Sequence, residues 1–418
     1  MDTDKKDRQI LRELAKKVAE IASLPVQKEK AEMWKRLNNL RPVKPMIWIN
    51  EIPWHEMDVN DELRLQTTNE FCRYYEWQLR TTIYQWEHMP GDMVVEPVIY
   101  SPLAIQDTGF GITEEVDIRR TDERSSVVSR HFHVQIQEES DLEKIKMPVV
   151  SHDEAASQQR YEMTKELFGD ILRVEKRGAP GFWFAPWDEL IRWWGVQEAL
   201  TDLYLNPELV HKAMDRLVTA YLHRLDQYEQ MGLLSLNNRN DRVGSGGYGY
   251  TDELPKPGFH PDHVTADHLW GCGTAQIFSE VSPKMHEEFA LQYEIRWMQR
   301  FALNYYGCCE PLHKKIDILE KIPNLRKISM SRWIDVDEAT SNIGDKYVFS
   351  YKPNPAIFAE DAWHPDRARE ELIKVLTKAR EKGCIVEIIM KDISTVRYEP
   401  HRLWEWAAIA QDVADKFE

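Results

Sequence analysis

The 418-residue chain sets 54 Lys and Arg against 70 Asp and Glu, a formal net charge of −16. Phosphate binding needs local positive charge, so this balance speaks against nucleic acid as a partner. Hydrophobic residues make up 42% of the chain, and no apolar run approaches the roughly 18 residues of a membrane span, so the composition is globular with no membrane partner expected. Five cysteines, two of them adjacent, show no disulfide-type spacing, and no basic and apolar leader pattern precedes the first helix. Together these read as a protein of the reducing cytoplasm.

Apolar residues Ile10, Leu11, Leu14, Val18, Ile21 and Leu24 recur at helical spacing among Lys and Glu, which predicts an amphipathic helix over 8–24. It falls in a helical extension, residues 1–43, that would cap the main domain or serve as an interface. From residue 44 onward short β-rich runs alternate with amphipathic stretches. Strands are expected over 45–51, 93–100, 181–184, 233–237, 275–280, 301–306, 325–330, 347–351 and 384–390. Asn206-Pro207-Glu208 supplies an N-cap, a first-turn proline and an early acid for a helix with Val210, Met214, Leu217, Tyr221 and Leu225 on one face. Ser282-Pro283 opens another, with Met285, Phe289, Tyr293 and Trp297 spaced four apart. Strand and helix alternating over roughly eight cycles predict an α/β fold with a parallel sheet, closed as a (β/α)₈ TIM barrel over 44–418. The stretch 101–151 is longer than an ordinary crossover and holds its own alternating run, 128–135, so it reads as a β-rich excursion over the barrel mouth.

Barrel chemistry gathers where strands end. The segment Leu303-Asn304-Tyr305-Tyr306-Gly307-Cys308-Cys309-Glu310-Pro311-Leu312-His313 crowds two thiols, a carboxylate and an imidazole into a strand-to-loop junction. Tyr306, Glu310 and Glu280 are the candidate catalytic acids. Other predicted strands end in Glu51, Asn237, Lys352, Asn354 and, beside Lys391, Asp392, which would converge on the same mouth. Trp48 and Trp183 offer flat apolar walls for an organic substrate, with Tyr248 on the glycine-rich loop 244–250. That loop lacks the Lys-Ser/Thr of a phosphate cradle. Thiolate from Cys308 or Cys309 with imidazole or carboxylate would suit a borderline metal such as Zn²⁺. No Cys-x-x-Cys pair is present, and His131, His133 and His260 read as ordinary surface or core histidines.

In order and spacing, Ala275 to Glu280, Ser282-Pro283, Tyr306-Gly307-Cys308, Ile334-Asp335 and Lys352-Pro353-Asn354-Pro355 resemble the uroporphyrinogen decarboxylase superfamily. Within it they are similar to the branch of methyltransferases that work with corrinoid proteins, the O-demethylase methyltransferases among them. The resemblance is motif-specific over about 275–400, and it implies a (β/α)₈ barrel. It also implies a His-x-Cys ligand pair at the strand over 301–306 and a further Cys near the last strand. Here Tyr306 stands in place of the His, Cys308 matches the Cys, and Met390-Lys391-Asp392-Ile393 has no Cys. The ligand set that remains for zinc is Cys308 with Glu280, Asp392 or Glu310. The decarboxylase's arginine-rich amino-terminal signature has no counterpart over 44–55, where Trp48, Glu51 and Trp54 stand instead.

The expected activity is methyl transfer from a small methylated compound, a methoxylated aromatic by preference, to the Co(I) of a separate corrinoid protein. Tyr306 or Glu310, or a Lewis-acid metal, would stabilise the departing phenolate. The alternatives are a decarboxylase of the same superfamily, which would need cationic groups at the mouth and no protein partner, and a non-catalytic barrel that binds a corrinoid protein or a ligand. Donor identity, direction of transfer and oligomeric state, a homodimer included, stay open at this level.

Overall fold

The computed structural model describes residues 4–120, 123 and 128–417. The chain forms two compact units, the first made of Met1–Ala104, Asp153–Gly178 and Lys352–Glu418, the second of Ile105–His152 and Ala179–Tyr351. The described strands are β1 (Met46–Ile49), β2 (Val98–Pro102), β3 (Ile105–Asp107), β4 (Val116–Arg119), β5 (Ser129–Phe132), β6 (Val150–His152), β7 (Arg173–Arg177), β8 (Trp270–Gly273), β9 (Leu303–Tyr306), β10 (Leu325–Met330), β11 (Val348–Tyr351) and β12 (Ile385–Met390).

In the first unit β1 pairs in parallel with β12, Met46 opposite Glu387, and β2 pairs in parallel with β7. Helices Lys5–Ser23, Glu70–His88 and Glu154–Phe168 close one core of this unit, in which Leu11, Tyr75, Leu79, Ile99 and Phe168 are buried together. The first helix is the one expected from its apolar spacing, started by Asp4, whose carboxylate accepts from Lys6 N. Buried Asp92 fixes the approach to β1 by accepting from Ile47 N at 2.8 Å while pairing with Lys44 at 3.2 Å.

In the second unit the parallel strands run in the order β11-β10-β9-β8. The stretch over 101–151 contains two antiparallel pairs, β3 with β6 and β4 with β5. Strands β1, β9, β10, β11 and β12 fall within or on the predicted runs. Three runs differ. The strand expected over 275–280 is β8, five residues earlier; Gln276–Phe278 is a 3₁₀ turn and Glu280 lies beyond it, exposed. Its Trp-Gly-Cys-Gly sequence hides a strand because its glycines serve tertiary contact: a Cβ on Gly271 would lie 2.5 Å from Phe301 Cγ and 2.7 Å from Asn304 Oδ1. The runs over 181–184 and 233–237 contract to one parallel bridge between Ala179 and Leu234, with Ala179 N on Leu233 O and Ser235 N on Ala179 O. Pro180 has no N–H to extend that ladder. Strand β7, Arg-Val-Glu-Lys-Arg, lacks the apolar pattern a sequence reading needs.

The helix after Ser282-Pro283 is broken by a π turn at Glu287–Leu291 between Pro283–His286 and Gln292–Met298. A π turn inserts one extra residue and rotates the remainder of the helix about its axis. The expected face of Met285, Phe289, Tyr293 and Trp297 is split: Met285 and Tyr293 are only half-buried, whereas His286 and Glu294 are fully buried. No helix among the described residues is long and apolar enough to cross a membrane. The described pairings establish an α/β fold with parallel strands.

Candidate active site at the strand ends of the second unit

The ends of β8 and β9 are tied together by one carboxylate. Glu310, fully buried, accepts from Thr274 Oγ1 at 2.8 Å and from Cys308 N at 2.8 Å. Thr274 follows β8 directly and Cys308 follows β9 by one glycine, so parallel register brings them side by side. Gly307, at φ +97°, makes the turn possible; a Cβ there would lie 2.5 Å from Leu312 Cδ1 and 2.9 Å from Ser329 Cβ. Ser329, on β10, donates to Cys308 O at 2.6 Å. The Cys308 and Cys309 sulfurs lie 3.5 Å apart, Cys308 buried and Cys309 exposed.

Behind this turn runs a buried chain of four ionisable groups. Lys315 Nζ donates to Phe278 O at 2.5 Å and lies 3.1 Å from His286 Nδ1. His286 Nε2 is 2.7 Å from Tyr306 Oη, which donates to Glu294 Oε2 at 2.6 Å. Burial, with repulsion from Lys315, pushes His286 down to about 3, so its ring is neutral. Burial lowers Lys315 to about 8 although Glu310 and Glu280 oppose the shift. Burial raises Glu294 to about 8, helped by repulsion from Glu310 and Asp188 and opposed by the Tyr306 hydroxyl. Tyr306 itself is driven well above the ordinary phenol value by burial and by Glu294 and Glu310. Asp188 is raised to about 6 by burial against the Gln276 amide, which donates to its Oδ2 at 2.7 Å, with Glu310 adding repulsion. Three carboxyl groups, a phenol, an ammonium and a neutral imidazole thus lie buried in one interacting cluster, the kind of environment in which acid and base roles are separated by pKa.

Of the residues expected from sequence, Tyr306, Cys308 and Glu310 stand together here. Glu280 is exposed and acts on Lys315 only through its charge. Asn237 is buried and committed to backbone: its amide donates to Trp270 O and accepts from Trp270 N, both at 2.9 Å, replacing a neighbouring strand at the edge of β8. Tyr248 is buried, with its carbonyl 3.4 Å from Lys327 Nζ. Its loop is held by Ser245, which bonds Gly307 O at 3.1 Å and Tyr305 Oη at 3.0 Å. Trp183 is 45% exposed. His313 turns to Glu338, 3.8 Å away, and its Nδ1 has no hydrogen-bond partner. The sequence reading missed Thr274, Asp188, His286, Glu294 and Lys315. His286 and Glu294 fall off the spacing of four read for that helix, and a lone acid beside a tyrosine gives no pattern in one sequence.

The first unit has its own polar strand ends. Glu51 and Asp392 follow β1 and β12 and both take left-handed backbone, φ +53° and +56°. Asp392 N donates to Glu51 Oε2 at 3.2 Å, while buried Lys391 pairs with Asp392 and lies 3.7 Å from Glu51. Two such non-glycine residues at adjacent strand ends store strain of a kind that clusters at functional sites. Trp48 packs its half-buried ring on the helical core of this unit rather than standing in a wall. Lys352 is buried, and Asn354 caps the 3₁₀ turn Pro355–Ala359 by accepting from Ala356 N at 3.0 Å.

Among the described residues, Glu62, Glu87 and His88 form the one group of three ligand types close enough to share an ion. Cys308, Glu280 and Asp392 each belong to no such group, so these side chains do not fit the ligand shell of the expected zinc.

No protein-family profile matches the chain, and no curated protein sequence matches it. A solved structure of a methyltransferase from Methanosarcina mazei is similar in fold, with a TM-score of 0.51 and 12% identity, covering 93% of this chain and 98% of that one. At this identity the likeness is one of fold. The chain is thus an α/β protein of parallel strands whose architecture a methyltransferase shares, with a buried ionisable cluster at the strand ends of its second unit.

Proposed function

We propose that the protein is a methyltransferase that moves a methyl group from a small methylated compound, a methoxylated aromatic by preference, to the Co(I) of a separate corrinoid protein. The fold that goes with this reading is a (β/α)₈ barrel of the uroporphyrinogen decarboxylase type, in its corrinoid-dependent branch. The observation that carries it is the buried acid set, Tyr306, Glu310 and Lys315, placed at and behind the strand end where the Tyr-Gly-Cys resemblance puts the site. The fold likeness to a methyltransferase supports the same reading.

An aryl methyl ether is a poor electrophile, because its leaving group is a phenolate. Corrinoid Co(I) supplies the nucleophile, and the chain's task is to stabilise the oxygen that departs. Charge developing there is met best by donors fixed in a dry site. Lys315 can hold or give a proton near neutral pH, and Glu310 fixes the turn that carries Cys308. A carrier protein would raise the effective concentration of cobalt at the pocket.

The experiment mixes purified chain, methoxylated aromatic donors, and either free cob(I)alamin or a corrinoid protein, and follows methyl-Co(III) by absorbance. Slow methylation of free cob(I)alamin and a rise of about tenfold or more with the corrinoid protein is expected. Full-speed turnover of a methylated or carboxylated substrate with no corrinoid would overturn the reading in favour of a decarboxylase.

A further inference from the structure

The buried chain behind the site has a fixed direction. An ammonium can only donate, so Lys315 Nζ gives its hydrogen to His286 Nδ1. That assigns the His286 hydrogen to Nε2, which donates to Tyr306 Oη, and Tyr306 donates in turn to Glu294 Oε2. Three consecutive hydrogen bonds therefore point one way, from a cation to a carboxylate, through groups that are all buried. Glu294 Oε1 has no hydrogen-bond partner, which is costly for an ionised carboxylate and tolerable for a protonated one.

We propose that Lys315, His286, Tyr306 and Glu294 form a proton relay that exchanges one proton between the Lys315 ammonium and the Glu294 carboxylate. The step balances. Lys315 Nζ–H breaks as His286 Nδ1–H forms, His286 Nε2–H breaks as Tyr306 Oη–H forms, and the original Tyr306 Oη–H breaks as Glu294 Oε2–H forms. An ammonium and a carboxylate become an amine and a carboxylic acid, and His286 changes tautomer without carrying charge. Low-dielectric surroundings favour this neutral pair over two separated ions. Burial shifts the two ends toward each other, raising Glu294 and lowering Lys315. Lys315 is faced by Glu310, Glu280 and His286, and Glu294 by Tyr306, Glu310 and Asp188, so a change of charge at Glu310 would move both ends. The relay makes Glu294 a proton store for an oxyanion formed or consumed beside Lys315, with Glu294 and His286 acting as positioning residues. It rests on hydrogen-bond geometry and holds or fails apart from the methyl-transfer reading.

The test is a pH titration by NMR of the full chain carrying ¹⁵N-lysine and ¹³C-carboxyl glutamate, with Lys315→Met and Glu294→Gln to assign the two signals. In the native protein both signals should move together at one shared midpoint, as coupled sites do, each by part of its full excursion. Tyr306→Phe removes the hydroxyl from the middle of the chain, and the two midpoints should then separate by about one pH unit or more. Independent titration in the native protein, with Lys315 near the usual ~10.4 and Glu294 near ~4.3, would sink the relay. So would a shared midpoint that survives in Tyr306→Phe. Should that variant not fold, infrared spectra of the native chain decide: the protonated Glu294 carbonyl band must grow over the same pH interval in which Lys315 loses its proton, and its absence there refutes the proposal.

Discussion

Single residues in this protein owe their chemistry to where the backbone places them. Cys308 and Cys309 are neighbours in sequence with sulfurs 3.5 Å apart, yet one residue is buried and the other exposed. Cys272 is enclosed at the end of β8, and burial pushes its thiol up to about 11, with Cys308 adding repulsion. Thiolate is the reactive form, so reactivity follows exposure and pKa together. With a chromogenic disulfide at pH 8, the fastest thiol phase is expected to belong to Cys309: Cys309→Ser removes it and Cys272→Ser leaves it unchanged. A fast phase that persists in Cys309→Ser would place the accessible thiol elsewhere. Tyr306, Cys308 and Glu310 were legible as candidates because polar and ionisable types at a strand-to-loop junction do not suit a plain core. Asn237 had the same signature and a different use. An amide can imitate a peptide, and only the position of Trp270 shows that it does.

At the scale of elements, the second unit depends on turns that admit no side chain. Gly307 joins β9 to the site, and its φ of +97° lies where L-residues are strained. Gly307→Ala should cost about 1–3 kcal/mol through that backbone and through collision with Leu312 and Ser329. Urea unfolding followed by tryptophan fluorescence measures it, and a loss below about 0.5 kcal/mol would mean that the turn relaxes freely. Because Cys308 N holds Glu310, the variant should also lower activity more than stability alone explains. The strands over 325–330, 347–351 and 384–390 were readable from runs of apolar and β-branched residues bounded by polar turns. Strand β8 was not, since Gly271 answers to Phe301 and Asn304 and Gly273 to Met298 and Tyr306, and β7 was not, since its side chains are mostly charged. The π turn at Glu287–Leu291 changes which residues of its helix face inward, and a regular spacing of four cannot announce it.

For the whole molecule, buried ionisable groups make folding depend on pH in a defined interval. Glu294 is raised from 4.5 to about 8, so between these values the folded chain binds a proton that the unfolded chain has lost, and stability falls as pH rises. His286, lowered from 6.5 to about 3, acts in the opposite direction below 6.5, where Asp188, raised from 3.8 to about 6, partly offsets it. Lys315, lowered from 10.5 to about 8, makes stability rise again with pH above about 8. Between pH 6.5 and 8 Glu294 is left as the main contributor, and the fall across it should be about 2 kcal/mol. Denaturant titrations at pH 6.5 and 8 should show that loss in the native chain and little of it in Glu294→Gln. Equal loss in both would assign the dependence to other groups.

What the sequence alone determined is the α/β class of the fold and the polar junction at the end of β9. Periodicity is local, so alternating strands and helices, the first helix and the junction at Tyr306 to Glu310 can be read from neighbours along the chain. Tertiary structure decided the rest. Whether Asn237 binds substrate or backbone, whether Glu294 faces solvent or Tyr306, and whether Lys315 keeps its proton near neutral pH depend on groups many residues away. Burial and hydrogen bonding are set by the packed surroundings, and one sequence carries no local record of them.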